Sequence, residues 1–341
     1  MRSKLYLFGG FVKSWSHNQQ LFEILKLNYN LIDLTHENKR KFGIFSFIKY
    51  FFNNYKTAKH IPNNSTCFIG FNSLYDVIVL RIVSFSLRKK LKIVNEALVM
   101  QYDTYITNKE ISKNKIVFFC YKIFLYILDY LTLHLSDTVI FDSNANLKRF
   151  SKMYRLNPDK CQVIFLCANN SIFFNNKKTK DFWSSNTINI LWYGNPSKLH
   201  NLEFIKNIFF ELNKKDEFNC SILENMSATS LEDISELLKK THISLGCFGH
   251  TDKCINTVIN KEYEALASGT LLITKKGNKG FLKDCAILCE TEQEVINKVN
   301  YFYKNRDSLA EYASKGQEAY LNHCNIDKLA KNYSKIIDSF L

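Results

Sequence analysis

The chain has 341 residues, 46% apolar and 14% aromatic, enough to fill two hydrophobic cores; this excludes a disordered or low-complexity chain. Its 46 Lys and Arg against 32 Asp and Glu leave a formal net charge of +14. That surplus favours an anionic partner (nucleic acid, anionic lipid or a phosphorylated substrate) without choosing among them.

Short apolar runs alternate with longer amphipathic ones. In the first half, strands are predicted at Leu5–Phe8, Leu31–Leu34, Cys67–Gly70, Leu91–Asn95, Thr138–Asp142 and Gln162–Leu166. Helices are predicted between them at Gln19–Leu27, Phe45–Tyr55, Leu74–Leu87, Ile116–Leu135 and Asn144–Tyr154. The polar stretch Asn175–Asp181 has no apolar period and reads as a linker. Alternation resumes with strands at Ile188–Tyr193, Cys220–Leu223, Ile243–Cys247, Leu271–Thr274 and Ala286–Cys289. The accompanying helices are Leu202–Leu212, Leu231–Lys239 and Val258–Ser268, and the tail from Asp307 is helical with a break near Asn322–Asn325. Ser230-x-x-Asp233 and Thr291-x-x-Glu294 carry capping-box spacing ahead of helical runs. Such alternation implies crossover connections and mostly parallel sheets. The expected architecture is α/β: two Rossmann-like halves, residues 1–175 and 185–341, facing across a cleft, the last helix returning to the first half.

Ten cysteines lie singly in apolar runs, as at Cys67, Cys220 and Cys247, where a small hydrophobe fits. The nearest pair, Cys285 and Cys289, brackets a strand-like run and lacks metal-ligand spacing, so no metal site is expected. The opening Met1–Gly10 has too short an apolar run for a secretory leader. A reduced, cytoplasmic protein is expected. Ile116–Leu135 is long enough to resemble a membrane span, but Lys122 and Asp129 inside it favour a buried or half-buried helix. Lys39–Lys56 has basic ends around a run rich in Phe, Ile and Tyr. It reads either as a helix lying on an anionic membrane or as a core-facing helix with basic ends.

In open α/β sheets ligands bind beyond the carboxyl ends of strands, so chemistry is sought there. The stretch Val258–Gly269 is the most informative. Gly269 fits a left-handed helix stop before the strand Leu271–Thr274. At the other end, backbone N–H groups near Asn260 make an anion site strengthened by the helix dipole, and Lys261 adds a charge suited to a diphosphate. Glu264, one turn on, could accept bonds from two adjacent sugar hydroxyls. The residues alone leave this open against a solvated first turn.

This stretch resembles the donor-binding region of family 4 retaining glycosyltransferases, which have the GT-B fold: Asn260, Lys261, Glu264, Ala265, Leu266, Ala267, Gly269, Ile273 and Thr274 match their pattern. Ser136–Ser143, Lys160–Ile164 with Phe173, and Ile190–Asn195 are similar to further segments of that family, in the same order. The resemblance implies that Glu264 holds a nucleotide ribose, that Gly249 to Asn260 hold the donor sugar and phosphates, and that Gly9 and Gly10 lie against the diphosphate. Three places depart from the family, one of them Phe165–Asn169, which stands where Pro-x-Gly-x-Asp is expected. Asn256 stands where a Glu commonly touches the transferred sugar, and Asn195 follows Gly194 where Arg is common. The expected pyrophosphate lysine falls on Lys198 or His200, with Lys198 preferred for its permanent charge. In the first half Glu96 ends a predicted strand at the cleft and is the candidate catalytic group, with Asp103 a more distant choice and His17 a helix-start residue.

The resemblance implies metal-independent transfer of a sugar, with retention, from a nucleotide-sugar to a glycan or lipid-linked acceptor in surface polysaccharide or glycoconjugate assembly. The nucleotide-sugar is a co-substrate and no other cofactor is expected; an anionic membrane surface is an expected partner and nucleic acid is not. The alternatives are a GT-B protein without transferase activity (an epimerase or degenerate sugar-binding partner), which Asn256 favours, and a nucleic-acid-binding protein, which only the charge suggests.

Overall fold

From Leu5 onward every residue of the first strand is buried, β1 (Lys4–Gly10), so its apolar residues run on without alternating, as in a strand covered on both faces. In this computed structural model the described residues are 2–36, 44–70, 74–98, 100–108, 114–174, 178–224 and 229–341. They form two units, Met1–Phe165 with Ile326–Leu341, and Leu166–Asn325.

The first unit continues with α1 (Ser16–Asn28), β2 (Asn30–His36), α2 (Ile44–Ala58), β3 (Thr66–Ile69), α3 (Leu74–Ser86) and β4 (Lys92–Glu96). Then come α4 (Gln101–Asn108), α5 (Lys115–Leu135), β5 (Thr138–Phe141), α6 (Asn144–Tyr154) and β6 (Cys161–Val163). Its six strands are parallel in the order β2-β1-β3-β4-β5-β6. Right-handed crossovers then set α2, α3 and α5 side by side on one face, each packed on the next, and α1 on the other.

The second unit holds two short helices, α7 (Asn170–Phe173) and α8 (Lys180–Trp183), then β7 (Ile188–Gly194), α9 (Leu202–Leu212), β8 (Phe218–Glu224), α10 (Leu231–Lys239) and β9 (Ile243–Leu245). It is completed by α11 (Asp252–Asn256), α12 (Asn260–Ala267), β10 (Leu271–Lys275), β11 (Ile287–Cys289), α13 (Glu292–Lys304) and α14 (Arg306–Cys324). Its five parallel strands run β11-β10-β9-β7-β8 around a core that includes Trp192, Phe209, Leu245 and Leu271. The last helix, α15 (Ile326–Asp338), belongs to the first unit and packs on α1, and the Tyr29 hydroxyl donates to Asp338 at 2.8 Å.

Two differences from the expected elements have physical causes. The short helix α4 has no sequence signal of its own; its first N–H groups, on Gln101 and Tyr102, donate to the Asp129 carboxylate reaching over from α5, at 3.1 and 2.9 Å. This explains a carboxylate inside an apolar helix. The chain passes to the second unit after Phe165, ahead of the expected linker. Residues 175–177 of that linker lie outside the described residues, while Lys178 is anchored, its ammonium donating to Thr270 Oγ1 at 2.7 Å. Helix α5 is half-buried, as Lys122 and Asp129 inside it predict: Leu125, Leu128 and Leu133 face inward, whereas Ile116 and Phe119 are exposed. The predicted amphipathic stretch Lys39–Lys56 is described only from Ile44 onward.

Candidate functional site

Each sheet reverses its strand order once, between β1 and β3 and between β7 and β9. Crevices at such switch points, beyond the carboxyl ends of the strands, are where open α/β sheets bind ligands. Gly9 and Gly10 lie at the first of these places and the candidates of the second unit lie around the second; Glu96 ends β4, beyond the switch.

In the second unit β7 ends at Gly194, whose φ of +152° suits glycine, and the loop to α9 carries Asn195, Lys198 and His200. That loop is braced from β9's side. Gly249 donates its N–H to the Leu199 carbonyl at 3.0 Å, and a Cβ on Gly249 would collide with the carbonyl oxygens of Lys198 and Leu199. Gly249 therefore shapes the loop by having no side chain. The two candidates for the pyrophosphate lysine separate here. His200 is turned inward, its Nδ1 3.5 Å from Cys247 Sγ and its ring edge-on to Trp192. Lys198 is exposed, and among the described residues its ammonium pairs with no carboxylate.

Helix α12 begins beside this loop. Glu262 N and Tyr263 N of its first turn donate to the Ile259 carbonyl at 2.9 and 3.4 Å, and the helix start presents the positive end of its dipole. Lys261 is only 6% exposed; its ammonium donates to the Tyr193 carbonyl at 3.2 Å and lies over the Trp192 ring, 4.5 Å from its centroid. Glu264 is 4% exposed and accepts from the Tyr193 hydroxyl at 3.0 Å, the same hydroxyl lying 3.1 Å from the Lys261 carbonyl. Burial pushes the Glu264 carboxyl up to about 7, against the pull of Tyr193 and Lys261. Burial likewise pushes Lys261 down to about 8, against neighbouring Cys247 and Glu262. Both ionised groups are thus held at a cost that a bound polar ligand would relieve.

Lys261 and Glu262 do not form a solvated first turn. Glu262 is fully buried: it accepts from Ile259 N at 3.0 Å, from Cys247 N at 3.3 Å and from the Thr274 hydroxyl, and it pairs with buried Lys279 at 3.5 Å. Desolvation opposes the Lys279 charge, but Glu262 together with Cys247 and Cys254 outweighs it and holds its pKa above the ordinary value. Glu262 ties the start of α12 to β10 and to the segment just after β9, leaving Lys261 and Glu264 to point elsewhere. Sequence reasoning missed Glu262, Tyr193 and Trp192, because a charged first-turn residue and two strand aromatics look ordinary in a string. Trp192 leaves one trace: its buried indole N–H has no partner among the described residues.

Asn256 ends α11 and is tied back, donating to the Asp252 carbonyl at 2.8 Å and accepting from Asn278 at 3.0 Å. Asn260 opens α12, half-buried. Gly269, with φ of +62°, stops the helix in the left-handed region as its position predicts.

In the first unit, Gly9 has φ of +95°, and a Cβ there would strike the Asp76 carboxylate. Asp76, buried at the start of α3, accepts from Gly10 N at 3.0 Å, so the two glycines fold over a carboxylate. Glu96 is buried: its Oε1 lies 3.0 Å from His17 Nε2 and accepts the Tyr333 hydroxyl from α15. His17, in the first turn of α1, is thereby fixed. Asp103 is engaged by Arg149 of α6.

No protein-family model matches the sequence, and no curated protein matches it. Solved structures do. HepE of Anabaena, in complex with UDP and glucose, matches with a TM-score of 0.66 at 12% identity, covering 99% of this chain and 100% of that one. A glycosyltransferase of Rickettsia africae gives 0.65 at 12% identity, covering 99% and 98%. The α,α-trehalose 6-phosphate synthase of Burkholderia multivorans gives 0.65 at 8% identity, covering 99% and 98%. Two parallel-sheet α/β units with these neighbours define the GT-B fold.

Proposed function

We propose that the protein is a glycosyltransferase that binds a nucleoside diphosphate sugar at the start of α12 and passes the sugar to a glycan or lipid-linked acceptor. One observation carries the reading: a buried ammonium and a buried carboxylate, Lys261 and Glu264, are held by the same residue, Tyr193, at a strand-order switch point. The carboxylate suits paired ribose hydroxyls; the ammonium and the helix start suit a diphosphate. UDP is the first nucleotide to test, since the HepE structure holds UDP and glucose.

In this reading the bond from the anomeric carbon to the β-phosphate oxygen breaks as the acceptor hydroxyl attacks from the same side, and its proton passes to the departing phosphate. Configuration is retained. Lys261, the α12 N–H groups and exposed Lys198 offset the charge that develops on the diphosphate, which supports transfer without a metal. Glu96 acts through His17, orienting its ring, rather than touching the sugar; this assigns Glu96 a positioning role. Mostly buried, scattered cysteines suit a reducing cytoplasm. A non-transferase reading is favoured by one observation, the uncharged Asn256 tied to Asp252 of its own helix and to Asn278 beyond β10.

Titration calorimetry and thermal unfolding with UDP, GDP and CMP test the donor site. A nucleotide at a hundredfold excess over Kd should stabilise the protein by about 2.7 kcal/mol. Absence of binding to all three overturns the proposal. UDP binding with no transfer from any UDP-sugar to glycan or lipid-linked acceptors favours the non-transferase reading.

A further inference from the structure

The helices α2, α3 and α5 lie side by side on one face of the first sheet, and their outward side is unusually apolar. Phe85 of α3 is 89% exposed, and Ile116 and Phe119 of α5 are 75% and 61% exposed. Phe52 of α2 and Ile123 and Ile127 of α5 are exposed as well. Soluble monomers rarely leave such a face uncovered unless something docks on it.

Charge identifies what docks. The acidic residues of the three helices are Asp76 and Asp129, and both are fully buried in internal hydrogen bonds. Lys49, Lys56 and Lys115 on the same helices are exposed, and Arg88 and Lys90 follow α3 at its end. The face is therefore apolar with a rim of one sign. A second copy seated on it would bring like charges together, whereas an anionic bilayer offers both an apolar phase and negative headgroups.

We propose that the outward face of α2, α3 and α5 seats this protein on the surface of an anionic lipid bilayer. It lies on the membrane and does not span it. Although α5 is long and apolar enough to cross one by length and composition, Leu125, Leu128 and Leu133 are buried in the unit. Withdrawing α5 would also strip Asp129 from the N–H groups of Gln101 and Tyr102 that it holds. A cavity of about 240 Å³ between α2 and α3, lined by Ile48, Phe51, Phe52, Tyr75 and Ile78, offers room for part of an acyl chain. The inference is independent of the donor site.

The test is co-sedimentation of the full chain, without nucleotide, with vesicles of phosphatidylcholine alone and of phosphatidylcholine with phosphatidylglycerol. The wild type should partition onto the anionic vesicles and much less onto neutral ones. Lys49→Gln and Lys115→Gln should each lower the partition about fivefold. The double change Phe85→Asp, Ile123→Asp should abolish it with an unchanged melting temperature, since both side chains face solvent. Phe210→Asp, at a site 68% exposed on α9 of the other unit, should bind as the wild type does. No partition onto anionic vesicles, or equal loss with Phe210→Asp, overturns the proposal. A concentration-dependent dimer that the double change dissolves, seen by light scattering without vesicle binding, assigns the face to a second copy instead.

Discussion

Tyr193 connects the two ends of the candidate site: its hydroxyl holds Glu264 and its carbonyl holds Lys261. Glu264→Gln removes the charge that suits ribose hydroxyls; UDP affinity should fall by about 1.5–3 kcal/mol in calorimetry while the fold persists. The same substitution has a pH signature. The folded pKa of Glu264 is raised from 4.5 to about 7, so the stability it contributes is complete below 4.5 and is lost as pH rises through about 7. Denaturant titrations across that window should show the wild type losing stability relative to Glu264→Gln. Lys261 works in the opposite sense on binding. Its ammonium is required by a diphosphate, and burial lowers its pKa to about 8. Above that pH the Kd for UDP should rise by up to about tenfold per unit, and Lys261→Met should flatten the profile. Gly249→Ala must displace the Lys198 loop; it should cost about 1–3 kcal/mol of stability and weaken UDP binding as well.

Helix ends show how far local signals reach. Ser230 caps α10 with the full reciprocal pair to Asp233, as the spacing predicts, whereas at α13 Thr291 accepts from Glu294 N but Glu294 turns to Glu290 N. Ser230→Ala should therefore cost about 1 kcal/mol in thermal unfolding. Helix α4 is the contrary case, since its cap comes from the distant Asp129, which also accepts from the Tyr154 hydroxyl at 3.1 Å. Asp129→Ala would leave buried donors without partners. Hydrogen exchange should show α4 opening before the rest of its unit, with a stability loss of about 1–3 kcal/mol.

Across the whole molecule the chain leaves the first unit after Phe165 and re-enters it at Ile326, so its terminal helix completes the unit it began. Leu329, Tyr333 and Ile337 of α15 are buried there, and Tyr333 reaches Glu96. Tyr333→Phe removes the hydroxyl that donates to buried Glu96 and should cost about 0.5–1.5 kcal/mol in thermal unfolding. Cutting the chain after Asn325 should lower the unfolding transition of the first unit and leave that of the second in place.

What the sequence determined by itself is what repeats locally. Alternating strand and helix periods specify two parallel-sheet halves, because each apolar run buries itself in the element it belongs to, and Gly269 marks a helix stop because only a residue tolerant of positive φ fits there. Lys261 and Glu264 were legible through their spacing on one helix and through resemblance. What only the tertiary structure decided is where unlike segments meet. Glu262 becomes a buried brace, His200 turns inward while Lys198 stays in solvent, and Glu96 is enclosed by His17 and Tyr333. The apolar residues of α5 divide between core and surface in the same way. Each outcome depends on a partner far along the chain, and burial or pairing is a property of the contact rather than of either residue alone.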